Sequence, residues 1–202
     1  MLPITRPLID NGWVEIEDNR IVRVGSGARS DAVDLGHVAL LPGLVNAHTH
    51  VELSWMAGLV PPSASMTEWI LTLLQVRRAG PPGGPAAELR AAREAARAMR
   101  DSGTVLVGDI SNGLAAVPAL AEAGLGGVVF HELLGFNATD PAGMVREAWA
   151  QEKGAGARFT HSEKRAPAPF SFSVVAHAPY SVSPALITEI ARRRREAPLA
   201  IH

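Results

Sequence analysis

The chain has 202 residues, of which 47% are hydrophobic, and its 19 Lys and Arg against 20 Asp and Glu leave a net charge of -1. This composition suffices for a globular core, and the balanced charge excludes an electrostatic footprint for nucleic acid or an anionic membrane. Because the chain has no cysteine, disulfides, thiolate metal sites and cysteine nucleophiles are excluded, and a metal ion would need His, Asp or Glu ligands.

The first forty residues predict a small β domain. Residues 13–17 alternate apolar with acidic side chains, a polar pair interrupts the alternation, and residues 21–25 resume the apolar pattern, which is typical of a hairpin. A further short strand is predicted at Val38 to Leu41, where a Pro-Gly pair ends it. We therefore predict a small β-sandwich segment at residues 1–41.

From residue 42 onward, strands alternate with helices, which is the signature of βα units and a parallel sheet. Strands are predicted at Leu44–His48, Thr104–Asp109, Gly127–Glu132, Phe172–Ala176 and Pro198–His202. Helices are predicted at 67–78, 85–102, 115–123 and 141–153, and a further helix from Ser183 onward. Residues 154–169 are predicted to form an irregular loop. A (β/α)₈ barrel needs eight strands, so about five strands predict an α/β TIM-like barrel that is incomplete in this chain, at residues 42–202.

The first motif that carries chemistry is an H-x-H pair, His48 and His50, at the end of the first strand of this region. Residues i and i+2 of a strand point to the same side, so both imidazoles can bind one ion. With 7 His in the chain, such a pair arises by chance in roughly one sequence in four, and imidazoles bonded to backbone carbonyls are the alternative. Residues 42–50, PGLVNAHTH, strongly resemble the first barrel strand of the amidohydrolase superfamily, where the pair binds the catalytic metal.

Two later segments carry the same resemblance. Residues 175–184, VAHAPYSVSP, resemble the fourth-strand segment of the deaminase and chlorohydrolase branch, which implies that His177 contacts substrate. Capping of the strand end is the alternative for His177. Residues 199–202 are similar to the fifth strand of that family, whose histidine is the third protein ligand, and this implies metal ligation by His202.

Further candidates follow from position, because barrel enzymes place substrate contacts at the carboxyl ends of their strands. Glu132 ends the third strand and follows His131. The stretch around both residues resembles the aminofutalosine deaminase-like branch, which implies that Glu132 lines the substrate pocket; a structural role is equally open. Trp55 lies in a region that covers the pocket in relatives and is the third candidate substrate contact, with packing as the alternative. Asp109 and Glu52 add carboxylates near strand ends, with loop capping and packing as their alternatives.

The resemblance implies a metal-dependent hydrolase of carbon–nitrogen bonds with one divalent ion, zinc or alternatively iron or manganese, held by His48, His50 and His202. Deamination of an aminated heterocycle or nucleoside-like small molecule is the first interpretation. A chlorohydrolase or cyclic amidase of the same superfamily is the second. In that family, a glutamate three residues after the fifth-strand histidine shuttles protons and later strands add a histidine and an aspartate. None of these lies within the sequence, so no catalytic acid or base is assigned, and a catalytically incompetent fragment remains the third interpretation.

The sequence contains no basic leader followed by an apolar run and no unbroken stretch of about 18 apolar residues. We therefore expect a cytoplasmic protein with a small-molecule substrate and no nucleic-acid or membrane partner, while a homo-oligomer is left open. The cytidine-deaminase class is excluded, because its zinc site requires cysteines that the chain lacks.

Overall fold

The computed structural model describes residues 1–157, 170–193 and 198–201. By its internal contacts, the chain divides into two compact units, Met1–Gly43 and Leu44–His202. Within the described residues, every helix is too short or too polar to cross a membrane. Each unit has its own sheet, and the functional candidates named above all belong to the second unit.

The first unit contains the predicted hairpin. Strand β1 (Gly12–Glu17) pairs antiparallel with β2 (Arg20–Ser26). The two residues of the turn, Asp18 and Asn19, both have positive φ, 47° and 62°. Asp and Asn tolerate this conformation better than other non-glycine residues, and a turn with two positive φ angles matches the twist of the flanking strands. The hairpin prediction is confirmed.

The strand predicted at Val38 to Leu41 was wrong, since these residues form no strand in the structure. Leu2 N donates a hydrogen bond to Leu40 O at 2.9 Å. One such bond does not make a strand, because a strand needs a continuing ladder with a neighbour. The apolar residues 38–41 do not by themselves show whether a partner strand lies beside them.

The second unit contains a four-stranded parallel sheet with the strand order β3-β4-β5-β6. Parallel strands need crossover connections, and helices supply them here, as the alternating pattern predicts. Since the strands run the same way, their carboxyl ends meet at one edge of the sheet. The strands are β3 (Leu44–Thr49), β4 (Thr104–Ser111), β5 (Gly126–Leu133) and β6 (Phe170–Ala176).

The helices agree with their predicted ranges except at one end. Helix α4 continues past its predicted end, through Gly154 to Ala157, although two glycines in this extension each cost about 1 kcal/mol relative to alanine. The rest of the predicted irregular loop, 158–169, lies outside the described residues. The helical segments are a 3₁₀ helix (Val51–Met56), α1 (Met66–Ala79), α2 (Gly84–Asp101), α3 (Val117–Glu122), α4 (Pro141–Ala157) and α5 (Pro184–Arg192).

Helix α5 begins as its sequence predicts. The hydroxyl of Ser183 accepts a hydrogen bond from Leu186 N at 3.2 Å. We expect Ser183→Ala to lower the free energy of unfolding by about 1 kcal/mol, because an N–H of the first turn loses its acceptor. Urea unfolding followed by circular dichroism measures the loss. Thr188→Ala, on the exposed surface of the same helix, is the control, and equal losses in both variants would contradict the capping role.

Side chains of the parallel strands alternate between two faces of the sheet. On one face, Val129 packs with residues of α2 and α3, and Val174 packs with residues of α4 and α5. The opposite face, which we call the interior face, is formed by a separate cluster. Its buried members are Ile110, Phe130 and Val175, and Ala200 packs against them.

The fifth predicted strand, Pro198–His202, is not formed at residues 198–201, and His202 lies outside the described residues. Ala200 is partly buried against the interior face, whereas Leu199 and Ile201 are exposed. Contact of one residue with the sheet does not make a strand, because a strand also needs a hydrogen-bonded ladder.

Candidate functional site

The carboxyl end of β3 brings together the two histidines of the H-x-H motif. His48 lies in the strand and His50 directly follows it. Their ring centroids are 5.1 Å apart, and the ring planes are inclined by 74°. In a tetrahedral site with zinc–nitrogen distances of about 2.1 Å, the centres of two imidazole ligands lie about 5 Å apart. The spacing of the two rings therefore fits two ligands of one ion.

The third predicted ligand, His202, lies outside the described residues. Within residues 1–157, 170–193 and 198–201, no group of three or more His, Asp or Glu side chains could hold a metal ion. The described part of the site therefore offers the histidine pair alone, and any further ligand has to come from elsewhere.

Two candidate substrate contacts, Glu132 and His177, lie at the ends of neighbouring strands. Glu132 belongs to β5 and is 4% exposed, and its position in the alternation puts it on the same side as Phe130, on the interior face. His177 follows β6, and its backbone N donates to Leu133 O at 3.1 Å. These strand ends lie at the same edge of the sheet as the histidine pair of β3.

The ring of His177 is held by its own loop. Its Nδ1 lies 2.6 Å from Ser181 Oγ, which also donates to Ala178 O at 3.1 Å. Since a hydroxyl has one proton, this network assigns Nδ1–H of His177 as the donor to Ser181 Oγ. The ring of Tyr180 stands perpendicular to the imidazole at 5.8 Å. The loop therefore fixes the direction of the imidazole.

Trp55, the third candidate substrate contact, lies on the 3₁₀ helix that follows His50. Its side chain is half-buried, and the 3₁₀ helix packs against α2. Trp55 is thus close to the histidine pair along the chain, whereas Glu132 and His177 are brought together by strand pairing.

His131 points away from the interior face. It shares the side of Val129, is 2% exposed, and its Nδ1 lies 4.0 Å from Glu152 Oε1 of α4. Burial lowers the pKa of His131, so the neutral ring is favoured there. The His131 side chain therefore contributes to the packing between β5 and α4. Of these two neighbouring residues, only Glu132 points to the interior face.

Glu52 organises the loop after β4, a role that the sequence did not reveal. It is 5% exposed, and its carboxylate accepts hydrogen bonds from Ser111 Oγ at 2.6 Å, Asn112 N at 2.8 Å and Gly113 N at 3.0 Å. Arg77 Nη2 lies 3.8 Å from Glu52 Oε1. A buried carboxylate needs such donors to offset its lost hydration. The 3₁₀ helix is thereby tied to the end of β4.

Asn112 extends this network to Glu132. Its Oδ1 accepts a hydrogen bond from Arg77 Nη2 at 2.5 Å, and its Nδ2 donates to Glu132 O at 2.9 Å and to Glu132 Oε2 at 3.1 Å. These partners lie 35 and 20 residues away along the chain. No local sequence pattern could have identified them, since only the fold brings α1, β4 and β5 together.

Asp109 does not cap the loop that follows it. Its Oδ1 accepts a hydrogen bond from Val51 N at 2.9 Å, so it holds the residue directly after His50. The side chain is fully buried, and this burial raises its pKa to about 7; the Val51 N–H opposes the rise, and the nearby charge of Glu52 adds to it.

We expect the stability of the metal-free protein to depend on pH through Asp109. The carboxyl ionises near 3.8 in the unfolded chain and near 7 in the folded chain, so its stabilising contribution is fully present below the lower value and is lost as pH rises to about 7. Asp109→Asn cannot ionise and keeps an oxygen for Val51 N. Between about pH 4 and pH 7, the free energy of unfolding of this variant, measured with urea, should increase relative to that of the wild type by up to about 1.4 kcal/mol per pH unit. Parallel curves for the two proteins would contradict the expectation.

A sequence profile of the Amidohydrolase family matches residues 39–202. The chain is also 25% identical over 206 residues to the 5-methylthioadenosine/S-adenosylhomocysteine deaminase of Bacillus cereus, and the match covers 96% of this chain and 45% of that protein. The chain therefore spans less than half the length of this curated relative.

Solved structures of related enzymes are also similar to this chain. The aminofutalosine deaminase of Helicobacter pylori, in complex with methylthio-coformycin, superposes with a TM-score of 0.55 at 28% identity, over 80% of this chain and 37% of that chain. Zinc-bound atrazine chlorohydrolase from Arthrobacter aurescens gives a TM-score of 0.61 at 18% identity, over 96% and 47%, which shows a common fold alone. The predicted incomplete TIM-like barrel and the predicted resemblance are both confirmed. The chain belongs to the amidohydrolase family.

Proposed function

We propose that this chain supplies strand-end residues of the active site of a metal-dependent hydrolase that cleaves carbon–nitrogen bonds. The reaction that we infer is hydrolytic deamination of an aminated heterocycle or nucleoside-like small molecule. Residues 42–202 would belong to the barrel and residues 1–41 to a small β domain. The observation that supports this most directly is the 5.1 Å separation of the His48 and His50 rings at the sheet edge that also carries two proposed substrate contacts.

His48 and His50 would hold one divalent ion, with His202 as the proposed third ligand. Imidazole nitrogen suits zinc, and zinc is present in the solved atrazine chlorohydrolase; iron and manganese are the alternatives. When bound, such an ion acts as a Lewis acid and lowers the pKa of water to about 7.

The substrate would be held by groups of this chain around the ion. Glu132, on the interior face, would accept a hydrogen bond from an amino or hydroxyl group of the substrate. The imidazole of His177, directed by Ser181, would present Nε2 to the ring of the substrate and steady the charge that develops there. Trp55 would cover the pocket and exclude water. An adenine-type base fits these roles and is consistent with the deaminases to which the chain is similar.

The proposal is tested on purified protein, both as residues 1–202 and as any longer product of the same reading frame. Zinc, iron(II) or manganese(II) is added, bound metal is measured by mass spectrometry, and ammonia release is followed with methylthioadenosine, S-adenosylhomocysteine and adenosine. We expect bound metal and ammonia release from at least one of these substrates. Chloride release from atrazine without ammonia release would favour the chlorohydrolase alternative, and absence of metal from every form would refute the hydrolase.

A further inference from the structure

The amide of Asn112 has only one orientation that satisfies its neighbours. The guanidinium of Arg77 carries donors alone, so the amide oxygen must face it, and the distance from Nη2 to Oδ1 is 2.5 Å. The carboxylate and carbonyl oxygens of Glu132 are acceptors, so the amide nitrogen must face them, at 3.1 and 2.9 Å. Arg77 thereby selects the orientation in which Asn112 donates to Glu132.

The backbone beside this amide is also fixed. The carboxylate of Glu52 accepts from Asn112 N and from Gly113 N, and Glu52 itself lies on the 3₁₀ helix after His50. Asn112 is therefore held through its main chain by the segment that follows β3 and through its side chain by α1 and β5. A residue whose main chain and side chain are both fixed by hydrogen bonds can hold a neighbouring group in one orientation.

The contact with Glu132 has two points. One amide nitrogen donates both to the main-chain oxygen and to Oε2 of the same residue, so it restricts rotation of the Glu132 side chain relative to its own backbone. Glu132 is 4% exposed and lies on the interior face, where its carboxylate is a proposed substrate acceptor. A carboxylate that is already oriented binds a donor without first losing rotamer freedom.

We propose that Asn112 is a positioning residue. It holds the carboxylate of Glu132 in the orientation that accepts a hydrogen bond from the substrate, and Arg77 keeps the amide of Asn112 turned the right way. The inference rests on the proposed function, because it assumes the substrate role of Glu132.

The first test does not need activity. In ¹⁵N-labelled protein, the side-chain amide hydrogens of Asn112 should exchange with solvent at least about tenfold more slowly than those of the exposed Asn137. Glu132→Ala should accelerate the exchange of the Asn112 amide, whereas Arg93→Met, which removes an exposed ion pair with Glu122, should not. Equal exchange at Asn112 and Asn137 in the wild type would overturn the proposal.

The second test is kinetic and uses whichever form of the protein, residues 1–202 or a longer product of the same reading frame, deaminates methylthioadenosine or another of the probes. Asn112→Ala should raise KM about tenfold, the size expected for hydrogen bonding to a charged group, and should change kcat less than about threefold. Arg77→Met should act in the same direction. Arg77→Lys should restore most of the loss, because an ammonium still donates to the amide oxygen. Arg93→Met is the matched control and should leave KM unchanged.

A double variant separates positioning from general damage. If Asn112 acts through Glu132, adding Asn112→Ala to Glu132→Gln should raise KM less than twofold further, since the group to be positioned is already altered. A full tenfold effect in that background, or no KM change in Asn112→Ala, would overturn the proposal. If the wild type deaminates no probe, the proposed function fails, and the exchange experiment alone decides whether Asn112 holds Glu132.

Discussion

Replacing His50 by alanine is expected to reduce bound metal to less than about a tenth of the wild-type content and to reduce hydrolysis at least about a thousandfold. Loss of even a supporting residue around a metal costs about 10- to 100-fold in affinity, and loss of a direct ligand should cost more. The rate should fall further because a catalytic ion contributes several kcal/mol of transition-state stabilisation. His48→Ala should behave in the same way, since the two ring centroids lie 5.1 Å apart and both imidazoles are proposed ligands of one ion.

Metal content, measured by mass spectrometry after removal of free ions, is the primary measurement because it does not depend on knowing the substrate. His37→Ala is the matched control, since His37 is exposed and lies in the first compact unit. Circular dichroism shows whether each variant is folded. Wild-type metal content in both His48→Ala and His50→Ala would refute the metal site.

Replacing Glu52 by alanine is expected to lower the free energy of unfolding by about 3–5 kcal/mol. The carboxylate is the acceptor for one hydroxyl and two backbone N–H groups, and it also lies beside Arg77. Its removal leaves the buried Ser111 hydroxyl and the two partly buried N–H groups without their acceptor, and an unsatisfied buried polar group costs more than the net gain of the bond that satisfied it. Urea unfolding in the absence of metal separates this loss from any effect on metal binding.

The matched control for this second prediction is Glu122→Ala. Glu122 also pairs with an arginine, Arg93, at 2.6 Å, but both side chains are substantially exposed. An exposed pair contributes less than about 1 kcal/mol, so Glu122→Ala should change the free energy of unfolding little. Equal losses in Glu52→Ala and Glu122→Ala would show that the burial of the Glu52 network contributes nothing.

The regular elements could be predicted because each depends on a local pattern. The hairpin turn needed residues that accept positive φ, and Asp18 and Asn19 do so. The predicted end of α2 was right to within one residue, because Gly103, which follows the C-cap residue Ser102, adopts φ +93°. The strand at 38–41 failed because pairing depends on a partner elsewhere in the chain.

The candidate site could be predicted only in part. The H-x-H pair followed from strand geometry, since residues two apart on a strand share a side. The sequence did not show which of His131 and Glu132 reaches the interior face. Alternation along β5 predicts that the two side chains point to opposite faces of the sheet, but it does not show which face the helices cover. Asp109 was identified as a carboxylate near a strand end, yet its partner, Val51 N, lies 58 residues away.

The sequence alone therefore determined the βα alternation, the position of the two adjacent imidazoles and the family resemblance, because each of these is encoded within a few consecutive residues. The tertiary structure decided which carboxylates hold loops and which one reaches the interior face. Glu52, Arg77, Asn112 and Glu132 come from four separate segments of the chain, and their hydrogen bonds exist only once those segments pack. Contacts between distant residues depend on the packed arrangement as a whole, and no short segment records them.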